Sequence, residues 1–172
     1  GVKNVYYNAG WTFPSLTSDL STFYANFLNN GGNLFICGQD VAWAAFDTSV
    51  NAAPYRNVEA QNLINNYFGL DFVNDGFTTD TKITAVATDP YYGTLGACTV
   101  SNFYTGSNLF PDNLKMFTNT TAKPLFYYGT AVNANKVAAA RNNSNTWKTV
   151  YFAPGVEQLS TSKKNNEIMG IT

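Results

Sequence analysis

The sequence predicts an α/β domain of three layers: a mostly parallel sheet, helices on both faces and a β-rich insertion. Three observations predict it. An amphipathic helical pattern lies between two short strand-like runs near the start of the chain. The second of those runs, residues 33–37, is continuously apolar, as suits a sheet covered on both faces. From residue 70 to 135 the pattern shifts to short strand-like runs between turn clusters, and two stronger strands then follow.

Residues 2–7 read as the first strand, ending at Asn8-Ala9-Gly10. Thr17 or Ser18 can cap a helix with Asp19 in its first turn. Leu20, Phe23, Tyr24, Phe27 and Leu28 recur at helical spacing, and Gly31-Gly32 ends the helix. Gly38-Gln39-Asp40 makes a sharp turn into a short helix over residues 41–46. Pro54 fits the first turn of a second long helix, through about Tyr67, with Gly69 as its stop. Strands are then expected at residues 82–88, 98–102, 114–118 and 124–128. Residues 136–141 and 148–152 read as a hairpin around the polar turn 142–145, and a last helix starts near Ser162. The whole reads as one domain: an α/β part at 1–70, a β-rich insertion at 71–135 and a return to the sheet at 136–172.

The 172 residues carry ten basic and eleven acidic side chains, a formal charge of −1, and only 12% charged residues. No basic stripe marks a phosphate-tracking groove, so a nucleic-acid partner is not expected. No apolar run approaches the length of a membrane span. A surface made polar by Asn, Thr, Ser and Tyr, with 23 asparagines, points to an extracellular or cell-surface setting. There is no histidine, which removes Ser-His-Asp and Cys-His catalysis and the commonest metal ligand. Cys37 and Cys98 are either two buried thiols or one disulfide. Nothing in the sequence calls for a cofactor.

The run Leu28-Asn29-Asn30-Gly31-Gly32-Asn33-Leu34-Phe35-Ile36-Cys37-Gly38-Gln39-Asp40 resembles the class I glutamine-amidotransferase-like, flavodoxin-like fold. More narrowly it resembles amidotransferase-like modules of large secreted or surface bacterial proteins. Ala87-Thr88-Asp89-Pro90 with Gly93 resembles that family's mid-domain loop, and Thr149 to Glu157 its late strand and turn. The resemblance implies a nucleophilic cysteine at the strand-to-helix elbow and a base and an acid after the late strand. Here the elbow falls at about Gly38, with Cys37 one place earlier and expected to point into the helix layer. Ala153 stands at the base position and Gly155 at the acid position. The resemblance also implies strand-helix units before the first strand, which this sequence lacks. The expectation is therefore a non-catalytic structural or interaction module. An open sheet edge or face near the first strand would be completed by the rest of a parent polypeptide or by a second chain.

Gln39, Asp40, Trp43 and Glu157 are the candidate ligand-binding residues, because open α/β sheets bind ligands at strand carboxyl ends. The plainer role for Asp40 is to cap the helix at 41–46. Cys37, Asp40 and Glu157 are the only candidates for a histidine-independent hydrolase, Asp40 and Glu157 as a carboxylate pair. Asp71, Asp75 and Asp80 in a Gly- and Thr-rich stretch are candidate calcium ligands, or solvated loop acids. Trp11, Trp43, Tyr91, Tyr92, Tyr127 and Tyr128 offer aromatic surface to a glycan or peptide, or fill the core.

Overall fold

The computed structural model describes residues 1–76, 80–100, 110–159 and 162–171. Nine strands form one mixed sheet: β1 (Asn4–Gly10), β2 (Asn33–Gly38), β3 (Leu70–Asp75), β4 (Lys82–Ala85), β5 (Ala97–Thr99), β6 (Asp112–Met116), β7 (Lys123–Tyr128), β8 (Val137–Asn143) and β9 (Lys148–Phe152). Its main order is β1-β2-β9-β8-β7-β4-β5, and β6 bridges β3 to β8. Four helices accompany it: α1 (Ser18–Asn29), α2 (Val41–Phe46), α3 (Val58–Leu63) and α4 (Ser162–Ile171).

This corrects the expected three-layer, mostly parallel architecture. Among the described residues only β1–β2 and β2–β9 pair parallel, whereas β8–β9, β7–β8, β4–β7, β4–β5, β3–β6 and β6–β8 are antiparallel. The physical cause is the hairpin between β8 and β9, in register from Asn143↔Lys148 to Ala139↔Phe152. It reverses the chain direction beside the parallel trio, and the strands added beyond it stay antiparallel. The β-rich stretch, β3 to β7, extends the same sheet. The continuous apolar character of β2 reflects burial on both faces, which a mixed sheet also provides.

Helix α1 forms where its apolar spacing predicts. Thr17 caps it, its hydroxyl accepting from the Leu20 N–H at 3.2 Å. Tyr24 and Leu28 turn inward and join Leu34, Ile36 and Tyr151 in a cluster completed by Ala60, Leu63, Ile64 and Phe68. The second long helix begins later than Pro54 suggests. Asn57 is its cap, accepting from the Ala60 N–H, and α3 passes into a π turn at Ile64–Phe68. The Tyr67 carbonyl freed there accepts from Asn142 Nδ2 at 3.0 Å and Thr149 Oγ1 at 2.8 Å. Those two bonds fasten the helical layer to β8 and β9.

On the opposite face, Phe35, Cys37, Phe126, Phe152 and Leu159 pack with β4, β5 and β7. Among the described residues, α-helices reach this cluster only through Ile168 and Met169 of α4, and Leu95 and Val156 join it from short 3-10 turns. Fully buried Phe126 and Phe152 each contribute about 1.5–3 kcal/mol of apolar transfer. The strand expected at 98–102 is shorter, as β5, and Val100 adds a bridge to Leu159; residues 101 and 102 lie outside the described residues.

Strand β1 is an edge of the sheet, with Tyr6 half exposed. A depression of about 230 Å³ opens over the first halves of β1, β2 and β9, with Tyr6, Phe35 and Val150 in its lining.

Gly69 closes the π turn at φ 69°, and a Cβ there would collide with Ala122 and Thr120. Gly69→Ala combines left-handed strain with overpacking, so it should lower unfolding stability by about 1–4 kcal/mol. Urea denaturation checks this, and a midpoint equal to the parent's would contradict it.

Candidate functional site

Strands β1, β2 and β9 end side by side, and the candidate site is built on their carboxyl ends. Gly10 and Gly38 are register partners there. Gly38 has φ 147°, and a Cβ on it would stand 2.9 Å from Ala9 Cβ and 3.0 Å from the Gly10 carbonyl oxygen. The close approach of the two strand ends therefore requires glycine. The Gln39 N–H donates to the Gly10 carbonyl at 3.0 Å, which locks the turn. Asp40, at φ 60° immediately before α2, is one of two non-glycine residues held in the left-handed region among the described residues, Asn119 being the other. Such strained positions cluster at functional sites.

A chain of hydrogen bonds crosses the strand ends. The Gly155 N–H donates to Gln158 Oε1 (2.8 Å), and Gln158 Nε2 donates to Gln39 Oε1 (3.0 Å). Gln39 Nε2 lies 3.4 Å from Asp40 Oδ2, which also accepts from Trp11 Nε1 at 2.7 Å. Beside this chain, Asn8 Nδ2 donates to Glu157 Oε2 at 3.0 Å. Gln39 and Asp40 are thus joined as neighbours in one network. Glu157 reaches Asn8 instead, and Gln158, which sequence reasoning did not single out, makes the link to Gln39.

Asp40 stands at the N-cap position of α2, but its side chain makes no capping bond. The cap comes from β6: Asp112 Oδ2 accepts from the Ala42 N–H at 2.8 Å and Oδ1 from the Trp43 N–H at 3.0 Å. Asp112 is fully buried. In the sequence, Pro111-Asp112 reads as turn punctuation, and the available signal was a carboxylate opening an apolar run at Leu114.

Cys37 does not point into the helix layer. Leu34 and Ile36 face α1 and α3, and period two turns Phe35 and Cys37 to the other cluster. Both cysteines are free and buried. Burial pushes the Cys37 thiol up to about 12; the Glu157 charge adds to this and a hydrogen bond with the Val156 backbone opposes it. Cys98 is pushed up to about 11 by burial.

The three calcium candidates disperse. Asp71 pairs with Lys115 at 3.1 Å and Asp80 with Lys136 at 2.6 Å, while Asp75 lies within the electrostatic reach of Asp40. Among the described residues, no group of three acidic or cysteine side chains is placed to hold a metal ion. The aromatics divide too. Tyr92 and Tyr128 are core residues, and Tyr91 lies over the Arg141 guanidinium at 5.4 Å. Tyr127 packs at the margin of the first core cluster. Trp11, Phe13, Trp43 and Tyr55 form one group: Phe13 meets Trp11 edge-on at 6.3 Å, Trp43 edge-on at 5.6 Å and Tyr55 stacked at 5.2 Å between centroids.

Three carboxylates share this end of the sheet. Burial raises Asp40 to about 6, against the hydrogen bonds from Trp11 and Gln39. Asp75 rises to about 7 through burial and the charges of Asp40 and Asp47. Burial, then the Asp40 charge, raises Asp112 well above the usual carboxylate range, against the two backbone N–H groups and with a further push from Asp75.

A raised folded-state pKa means that the native state binds more protons than the unfolded state between the two values. The stability contributed by protonation is complete below about pH 4 and is lost as pH rises through about 7 for Asp75. Asp75→Asn should therefore match the parent in melting temperature near pH 4 and exceed it at pH 8. Thermal unfolding across that range checks this, and a constant offset between the two proteins would contradict it.

No family model and no curated protein matches the chain. Solved structures do. The β-galactosidase from Bacillus circulans sp. alkalophilus is similar with a TM-score of 0.58 and 14% identity, over 98% of this chain and 22% of that one. The β-galactosidase from Rahnella sp. R3 is similar with a TM-score of 0.55 and 11% identity, over 98% and 22%. The N-terminal domain of mmIFT52 gives a TM-score of 0.55 and 14% identity, over 96% of this chain and 74% of that one. This chain thus spans about a fifth of the length of those β-galactosidases and most of the mmIFT52 domain. At these identities the likeness is one of fold, and the mixed-sheet architecture is what the chain shares with these proteins.

Proposed function

We propose that this chain is a non-catalytic interaction module of a larger secreted or cell-surface bacterial protein. The observation that carries the reading is that Cys37 and Asp40, two of the three candidate reactive groups at the strand ends, are sealed, which leaves Glu157 without its carboxylate partner. Cys37 is 1% exposed with its thiol pushed up to about 12, so the thiolate that nucleophilic attack requires is not formed near neutral pH. Asp40 is 8% exposed, one carboxylate oxygen is engaged by Trp11, and the other is shut off from solvent. A general acid or base must reach its substrate within hydrogen-bond distance, and this geometry denies Asp40 that reach.

Further support comes from the amidotransferase-like resemblance, in which Ala153 and Gly155 occupy the base and acid positions and no histidine exists to serve instead. The same fold occupies about a fifth of the much longer β-galactosidase chains, which favours a modular role. The open edge at β1 offers backbone groups to the remainder of a parent polypeptide or to a second chain that extends the sheet.

Cys37→Ala and Asp40→Asn test the reading on chromogenic esters, amides and glycosides. The expected result is no turnover above buffer for the parent or either variant. Turnover by the parent that disappears in either variant would establish a histidine-independent hydrolase instead.

A further inference from the structure

At the end of β1, exposed Trp11 is held in place by three partly buried rings, Phe13, Trp43 and Tyr55. Trp11 is 56% exposed, yet its indole N–H is fixed to a carboxylate that is itself more than nine-tenths buried. Phe13 packs between Trp11 and the pair Trp43 and Tyr55, so one flank of Trp11 is supported while the other meets solvent. An exposed tryptophan with no task would normally be mobile. This one has lost its rotational freedom before any ligand arrives, which lowers the entropic cost of binding.

The surroundings select among ligand classes. Asp40, bonded to the Trp11 indole, and Asp47, whose N–H donates to the Trp43 carbonyl at the end of α2, place negative charge beside the rings, which repels phosphate backbones and acidic polymers. Near the strand ends, exposed Asn8 and partly exposed Glu157 are an amide and a carboxylate whose mutual hydrogen bond fixes the directions of their remaining donors and acceptors. A flat apolar ring beside oriented amide and carboxylate groups suits a molecule with an apolar C–H face and an equatorial rim of hydroxyls. We propose that the exposed face of Trp11 binds a neutral glycan, one sugar ring stacking on the indole and its hydroxyls meeting the neighbouring polar groups. The proposal rests on the non-catalytic reading in one respect: the sugar is held and not cleaved.

The test is affinity electrophoresis of the full chain in gels containing soluble neutral polysaccharides (galactan, xylan, glucomannan and mixed-linkage β-glucan), with polygalacturonate as an acidic comparison. Retardation by at least one neutral polymer and none by polygalacturonate is expected. Trp11→Ala should weaken that retardation at least tenfold, and Trp11→Phe should retain part of it. Phe23→Ala, which removes an exposed ring on α1, should behave as the parent, and melting temperatures show whether each variant is folded. Absence of retardation by every neutral polymer, or retardation unchanged in folded Trp11→Ala, overturns the proposal. Capture on a peptide array without glycan binding also overturns it, in favour of a peptide ligand. Release of reducing ends from a retarding polymer would leave the glycan assignment standing and refute the non-catalytic reading.

Discussion

The pair of hydrogen bonds that the first turn of α2 donates to Asp112 is the constraint on which the strand-end surface depends. It joins the antiparallel limb of the sheet, through β6, to a six-residue helix too short to be stable alone. Through Trp43 that helix positions the aromatic group, and through its entry turn it positions Asp40. The cap is costly, because it buries a carboxylate next to another one. The two backbone N–H groups offset part of that penalty, and the upward pressure on both acids is the remainder.

The resulting surface is rigid by construction. Three parallel strand ends are crossed by a run of amide and carboxylate bonds, with glycine at the point where β1 and β2 come closest. Polar groups of this kind become reactive when one of them is left free to exchange a proton with a ligand. Here the amides are matched to neighbours, the unpartnered Asp40 Oδ1 is shut off from solvent, and the thiol that could attack lies below, in the apolar layer. Such an arrangement favours recognition through shape and fixed donors over chemistry.

Local features were legible in the sequence where a single short-range cause decides them. The spacing of Leu20, Tyr24 and Leu28 fixes α1, the apolar run fixes β2, and the polar turn between β8 and β9 fixes their hairpin. Strand direction beyond β9 was not legible, because pairing partners far apart in sequence determine it and each short run looks alike from within. The side of the sheet that Cys37 faces was open for the same reason: period two gives alternation but not the identity of either face. Gln39, Asp40 and Trp43 were identifiable as neighbours of a strand end. Asp112 was not, since its role exists only through contact with residues about seventy positions earlier.

The edge at β1 bears on how copies of the chain behave toward each other. Among the described residues β1 pairs on one side only, with β2, and Lys3 is the only charged side chain among the first eighteen residues. A formal charge of −1 gives the molecules little mutual repulsion. Colloidal stability of this chain therefore depends on hydration of its asparagines, such as the Asn4–Asn33 amide pair at the start of the edge, and not on charge. A neutral, amide-rich border keeps an unpaired strand wetted while leaving it open to a partner that brings a better-matched one.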